Sequence, residues 1–164
     1  MLISVPLRGK VSAVTTDAPL PLSLRFRAAR ERAGLSRDDA ATDMGVPVEC
    51  VWEIESQDDE LCTSYAPADI RHFCKVLGVR PADLFLIKPD EAEPPITAEQ
   101  LVKLIREHCR SRKITLPAFE NAVGWRLSDS LDDPLALFED LSLEGLRWVC
   151  DELGVDWRQI IVGL

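Results

Sequence analysis

Apolar residues between positions 36 and 55 recur with the spacing of two short helices separated by a tight turn. Ser36 suits the start of the first helix, because its hydroxyl can accept from an unpaired backbone N–H of the first turn. Gly45 follows that helix where a left-handed residue is needed, and the pattern resumes beyond Pro47. The apolar positions are Ala40, Ala41, Met44, Val51 and Ile54. The stretch therefore predicts a helix, a turn and a second helix.

Further helices are predicted on both sides of this stretch. One should run from about Leu24 to Ala33, a second should begin at Pro67 and end before Gly78, and a third should begin at Pro81. An acidic loop is expected between Glu55 and Pro67. Residues 88–96 are rich in proline and acidic residues and predict a linker between two halves of the chain.

The second half repeats the first. Ile114-Thr115 and Gly124 correspond to Leu35-Ser36 and Gly45, each 79 residues earlier. Leu153-Gly154-Val155 corresponds to Leu77-Gly78-Val79, which lies only 76 residues earlier, so three residues are missing between these points. The missing residues fall after the turn, where Pro134 also interrupts helical structure. The sequence predicts an all-α fold of two tandem five-helix units, residues 22–87 and 97–164, the second having lost much of its second motif helix.

These residues resemble the Cro-like (XRE) phage-repressor family of helix-turn-helix proteins. The matching positions are Arg30, Gly34-Leu35-Ser36, Gly45-Val46, Ile54-Glu55, Leu77-Gly78-Val79 and Asp83-Leu84-Phe85. The resemblance covers roughly residues 24–86. It implies a lambda-repressor-like fold in each unit, with Gly45 and Gly124 at the two turns, a degenerate second copy, and a recognition helix that begins after Pro47.

The overall charge opposes the DNA binding that the resemblance implies. The 164 residues include 19 Lys and Arg against 28 acidic residues, a net charge of −9. Residues 22–58 alone carry five Arg against eight acidic side chains. Because phosphate contacts supply most non-specific affinity for DNA, this composition favours another kind of partner.

The family's base-facing positions correspond here to an acidic and aromatic surface. They match Pro47, Val48, Glu49, Trp52 and Glu53. Specific base contacts are made mostly by Arg, Lys, Asn or Gln, and two glutamates would be repelled by phosphates. Trp52 fits either an anchor for a protein partner or packing against the next helix or the N-terminal segment. Trp125 and Trp157 are expected in the core or between the repeats.

Three arginines are the candidate phosphate contacts if DNA binds: Arg27, Arg30 and Arg37. The alternative, which we favour, is a solvated face on which the arginines of this region pair with Glu31, Asp38 and Asp39.

No catalytic residue, metal site or cofactor is predicted. His72 and His108 have no companion at ligand spacing, and no glycine-rich phosphate loop is present, so the chain is not expected to be an enzyme. Five cysteines without a CxxC pair, and no secretory segment, are typical of reduced thiols in a cytoplasmic protein. No apolar run is long enough to span a membrane.

Two functions from different classes remain open. The chain is either an acidic regulator that acts mainly through protein contacts, as antitoxin-like or antirepressor-like modules do, or a DNA-binding transcriptional regulator that uses unit 1 as a dimer. The charge and Glu49 and Glu53 favour the first. Residues 1–21 are expected to form either a short β-hairpin or a disordered tail.

Overall fold

The computed structural model describes residues 19–88 and 94–164. Within these ranges the chain forms eleven α-helices and no strand, so the predicted all-α class is confirmed. The hairpin or tail was predicted for residues 1–21, of which residues 1–18 lie outside the described residues, as does most of the linker. The helices of the first half are α1 (Leu22–Arg32), α2 (Arg37–Met44), α3 (Val48–Ser56), α4 (Glu60–Thr63), α5 (Pro67–Leu77) and α6 (Pro81–Leu84). Those of the second half are α7 (Ala98–Arg112), α8 (Leu116–Val123), α9 (Ala136–Asp140), α10 (Leu143–Leu153) and α11 (Arg158–Gly163).

The helix-turn-helix of the first half is built by local capping. The Ser36 side chain accepts from the backbone N–H of Asp39, and the Asp39 carboxylate accepts from the backbone N–H of Ser36, so α2 starts in a capping box. Gly45 ends the helix with φ at 71°, a left-handed conformation that favours glycine. Pro47 then precedes α3, and the predicted helix, turn and helix are confirmed.

The core of the first half is formed by side chains from the inward faces of its helices. Phe26 of α1, Val51 and Ile54 of α3, and Ile70 of α5 are at most 1% exposed. Helix α3 packs against both α1 and α2, so its inward stripe fixes which side chains remain on the surface.

One helix departs from the prediction. The acidic stretch after Glu55 contains the short α4 where only a loop was expected, so the first half has six helices instead of five. Leu61 supplies the reason, because its side chain is 1% exposed and packs into the core. One buried apolar residue among acidic neighbours gives too weak a periodicity to be read from sequence.

The second half has three helices of eight or more residues, α7, α8 and α10, and no extended helix between α8 and α10. Turns run from Gly124 to Pro134, and α9 follows with only five residues. Glu120 holds this segment, since its carboxylate accepts from the backbone N–H of Leu127 at 2.7 Å and of Ser128 at 2.8 Å. These hydrogen bonds hold the pKa of Glu120 below its ordinary value.

The two halves pack together around Trp157. Its ring contacts Phe85 edge-on, with centroids 6.3 Å apart, and Arg147 lies 4.9 Å from its centroid. Leu143 of α10 belongs to the core of the first half and donates its backbone N–H to Tyr65 O at 2.9 Å. Of the two locations expected for Trp125 and Trp157, Trp157 lies between the halves and Trp125 packs against the core of the second half.

Candidate functional site

An open groove of about 730 Å³ lies on the first half, where α3 meets α1 and the start of α2. Its lining residues are Arg27, Arg30, Arg37, Asp38, Val48, Glu49, Trp52 and Glu53. The structure thus brings together all three arginines and four of the five recognition-face residues predicted from the sequence. The fifth, Pro47, is exposed at the start of α3.

The outer face of α3 presents an aromatic ring beside two carboxylates. Trp52 is 55% exposed, Glu49 is exposed and Glu53 is half-buried. The two glutamates are four residues apart and therefore lie one above the other on this face. The opposite stripe of α3, which carries Val51, points into the core.

Beneath the groove, Glu55 binds two of the three arginines. Its carboxylate accepts from Arg30 Nε at 2.5 Å and from Arg37 Nε at 2.7 Å, and the Arg30 terminal nitrogen lies 3.3 Å from its second oxygen. Arg30 also donates to Leu35 O at 2.7 Å. Burial alone raises the pKa of Glu55, but the two guanidinium groups outweigh it and hold the pKa below its ordinary value.

The arginines of the groove differ in how much charge they offer to a ligand. Arg30 is buried at 7% exposure and its donors are taken by Glu55 and Leu35. The Arg37 side chain is 39% exposed, but its Nε is bound to Glu55. The exposed Arg27 pairs with Glu31 at 2.9 Å, as the solvated-face interpretation predicted. The predicted pairing with Asp38 and Asp39 was wrong, because Arg30 and Arg37 bind Glu55 and Asp39 caps α2.

The charges of the groove sum to a slight negative excess. Three guanidinium groups face the carboxylates of Asp38, Glu49 and Glu53 at its surface, and Glu55 adds a fourth carboxylate behind them. A surface of this composition lacks the unpaired cations with which proteins hold phosphates. It offers instead a half-exposed Trp with charged neighbours.

Glu55 is the residue that the sequence analysis did not single out as part of the site. Nothing in the sequence indicates that Arg30 and Arg37 pair with a residue this far along the chain. The family resemblance includes Glu55 only as a motif position. A usable signal was present, because Glu55 shares the inward helical stripe with Val51 and Ile54. A carboxylate on such a stripe is almost never fully buried unless it is paired.

The other chemistry-bearing side chains do not join this groove. Gly124, the predicted turn residue of the second half, ends α8 with φ at 75°. His108 lies against Phe119 in the second half, with ring centroids 5.5 Å apart, while His72 is exposed on α5. The cysteines are unpaired, and burial raises the pKa of the Cys74 and Cys150 thiols to about 12. Among residues 19–88 and 94–164, no cluster of three His, Cys, Asp or Glu side chains is placed to hold a metal ion.

Comparison with known families agrees with this geometry for the first half of the chain. Residues 25–84 match the family model of a helix-turn-helix domain. Over these residues the first half resembles a helix-turn-helix domain. The matched residues include α2, the Gly45 turn and α3, and they nearly coincide with the stretch identified by resemblance. No curated protein and no solved structure matches the chain. In the part of the chain that the structure describes, no helix has the length and apolar character needed to cross a membrane.

Proposed function

We propose that this protein is a regulator of the helix-turn-helix type that acts through protein contacts, and that the outer face of α3 with the adjoining groove is its contact surface. The observation that carries the proposal is Trp52, 55% exposed beside Glu49 and Glu53 on the helix that would otherwise read DNA. Exposed aromatic side chains of this kind are the commonest anchors of protein interfaces.

Electrostatics support a protein partner over a duplex. DNA binding draws its affinity from Lys and Arg that are free to contact phosphates. Here Arg30 is enclosed, and Arg37 and Arg27 are held by Glu55 and Glu31. A duplex docked on α3 would place its phosphates beside Glu49 and Glu53, which repel them.

We further propose that the second half is a degenerate copy of the same unit, in the Cro-like subclass to which the motif residues point. Two correspondences support this. Helix α8 has the length of α2 and follows it by 79 residues, and α10 has the length of α5 and follows it by 76 residues. The left-handed turn at Gly45 recurs at Gly124.

The same intervals align the ion triad of the first half with three apolar side chains of the second. Arg30 and Arg37 correspond to Cys109 and Leu116, and Glu55 corresponds to Leu131. These three residues line one cavity of about 390 Å³ between α7, α8 and the turn segment. Their shared location supports the alignment. The second copy then lacks both the charged triad and a full-length recognition helix, so one chain offers one α3 face.

The alternative function is a DNA-binding regulator that uses the first half as a dimer. It is favoured by the helix-turn-helix match over residues 25–84 and by the exposed guanidinium groups of Arg27 and Arg37 at the groove rim. To bind DNA in this way, Arg27 and Arg37 would have to release Glu31 and Glu55 and bind phosphates instead. Neither proposal assigns the protein an enzymatic activity.

Binding to fluorescent duplexes separates the two functions. We expect no anisotropy change with mixed-sequence DNA or with the protein's own promoter fragment at about 50 mM salt, where phosphate contacts are strongest. Glu49→Arg combined with Glu53→Arg should create weak binding that falls steeply with salt, by a slope of about −0.9 for each phosphate neutralised. Tight, salt-sensitive binding by the wild type would refute the proposal.

The contact surface is tested by co-purification. Trp52→Ala should abolish recovery of a bound protein, because truncation removes the anchor. Trp148→Ala is the matched control, since Trp148 is also half-exposed, at 47%, but lies on α10 of the second half. Equal recovery with both variants, at unchanged helicity by circular dichroism, would place the contact elsewhere.

A further inference from the structure

The outer face of α3 carries two parallel rows of side chains. Val48 and Trp52 are four residues apart and form an apolar row, and Glu49 and Glu53, also four residues apart, form an acidic row beside it. The two carboxylates are separated by about 6 Å along the helix axis, since each residue adds about 1.5 Å. All four side chains line the open groove of about 730 Å³, so a partner that enters the groove meets both rows together.

The carboxylates that line this groove have no cation of their own. Those of Asp38, Glu49 and Glu53 make no ion pair and accept no hydrogen bond within residues 19–88 and 94–164. Asp38 and Glu49 are exposed, and Glu53 is half-buried. These three groups are therefore available to a cation that a partner supplies.

The arginines of the groove, in contrast, are matched by carboxylates of the same chain. Glu55 binds Arg30 and Arg37, and Glu31 binds Arg27 at 2.9 Å. When these two acids are counted with the three that line the groove, five carboxylates surround three guanidinium groups, a net charge of −2. An acidic partner would have to displace Glu31 or Glu55, whereas a basic partner displaces nothing.

The Trp52 ring offers a second kind of contact to a cation. In the part of the chain that the structure describes, no cation lies over this ring, although Arg147 lies over Trp157 at 4.9 Å from its centroid. A guanidinium group stacks on an indole face, and its planar fork also donates two parallel hydrogen bonds to a carboxylate. Glu53 is next to Trp52 in sequence and Glu49 lies one turn away, so the α3 face presents both acceptors of an arginine side chain.

We propose that the α3 face binds a basic helix of a partner protein, with one arginine stacked on Trp52 and hydrogen-bonded to Glu49 or Glu53, and a second cation four residues along against the other carboxylate. This inference rests on the proposed function, because it names the chemistry of the partner at the same surface. A helix fits because its own side chains recur on one face every four residues, which matches the spacing of the two carboxylates. Val48 then supplies apolar surface for the methylene stem of an arginine.

Nuclear magnetic resonance of the full chain at about 150 mM salt tests the proposal. The probe is an alanine-rich helical peptide with two arginines four residues apart. The readout is the indole N–H signal of Trp52, which is assigned by its loss in Trp52→Phe. We expect titration to shift this signal and to leave the signal of Trp148 in place, because Trp148 is 47% exposed but lies on α10, outside the groove. A matched peptide with two glutamines should bind at least about tenfold more weakly, because it cannot form charge-assisted hydrogen bonds.

Two pairs of substitutions show which carboxylates matter. Glu49→Gln with Glu53→Gln should weaken binding of the arginine peptide at least about tenfold. Asp129→Asn with Asp151→Asn is the matched control, because it removes the same amount of charge from exposed positions of the second half, and it should change the affinity less than about twofold when salt screens distant charges. Equal losses from both pairs, equal shifts of Trp52 and Trp148, or equal binding of the arginine and glutamine peptides would overturn the inference.

Other occupants of the groove give different results. If the mass of the wild type alone rises with concentration in sedimentation equilibrium and Trp52→Ala abolishes the rise, a second copy fills the groove and the inference is wrong. If Arg8→Gln with Lys10→Gln moves the Trp52 signal without any peptide, basic residues of this chain occupy the groove and the inference is equally wrong.

The inference and the proposed function fail in different ways. A Trp52 signal that no peptide moves overturns the inference alone, since a bound protein lost by Trp52→Ala but kept by Trp148→Ala would still support the proposed function. Tight, salt-sensitive binding of duplex DNA to the wild type overturns the proposed function. Circular dichroism of each variant confirms that exposed substitutions have left the helices intact.

Discussion

Replacing Glu55 by Gln tests whether the buried triad of Arg30, Glu55 and Arg37 stabilises the first half. The Glu55 side chain is 1% exposed and accepts from Arg30 Nε at 2.5 Å and from Arg37 Nε at 2.7 Å. Gln has nearly the same shape, but it removes the charge and turns an amide N–H toward guanidinium donors. A buried donor then has no acceptor, Arg37 loses its counter-ion, and Arg30 keeps only the exposed Glu31, 3.6 Å away.

The expected cost follows from the exposure of the two arginines. Removing one partner of a buried pair costs about 3–5 kcal/mol, because the remaining charge stays buried. That range applies to Arg30, whose side chain is 8% exposed. Arg37 is 39% exposed and can turn toward water, so its share is small. We therefore expect a loss of about 3 kcal/mol, which for a chain of this size lowers Tm by roughly 6–12 °C.

Urea unfolding followed by circular dichroism measures this loss as a lower midpoint at an unchanged m-value. Glu53→Gln is the matched control, because Glu53 lies on the same helix but half-buried at the groove. It should change the free energy of unfolding by less than about 0.5 kcal/mol. A loss below about 1 kcal/mol for Glu55→Gln, or an equal loss for both variants, would refute the reasoning.

Three further predictions concern buried side chains of the two halves. The folded pKa of Glu55 lies below its ordinary value of 4.5, so the triad stabilises fully at neutral pH and its contribution is lost as the pH falls through the folded pKa. The difference in unfolding free energy between wild type and Glu55→Gln should therefore shrink from about pH 6 to about pH 3. Exchanging the triad for apolar residues of similar volume, Arg30→Met with Arg37→Leu and Glu55→Leu, should leave the free energy of unfolding within about 1.5 kcal/mol of wild type, whereas Glu55→Leu alone should lose about 3 kcal/mol or more. Because burial raises the pKa of Cys74 and Cys150 to about 12, iodoacetamide at about pH 8 should leave both unmodified until the protein unfolds, and mass spectrometry would contradict their burial if it found either labelled.

Local signals in the sequence predicted the helices and their caps. Ser36 opens α2 through a capping box, and its hydroxyl accepts from the backbone N–H of Asp39 at 3.1 Å. Glycines at 45 and 124 adopt the left-handed conformation that a tight helix end requires. Such features depend on residues three or four positions apart, so one sequence suffices to find them.

Long-range partners were not predictable in the same way. Glu55 meets Arg30 across 25 positions and Arg37 across 18, and no periodicity encodes either distance. The turn segment after Gly124 likewise depends on Glu120, which binds the backbone N–H groups of Leu127 and Ser128. A glutamate on α8 looks like an ordinary surface residue until the chain has folded back onto it.

The contrast between the two halves bears on why the charged triad is present in the first. An apolar replacement of a buried ion group is often neutral or stabilising, and the second half holds Cys109, Leu116 and Leu131 around one cavity. Stability alone therefore gives no strong reason for a charged triad beneath the α3 groove. The triad does have a consequence for recognition, because Glu55 holds two of the three groove arginines that phosphates would otherwise attract. The surface left to a partner is then Trp52 with Glu49 and Glu53, so the buried triad supports the proposed protein-contact function.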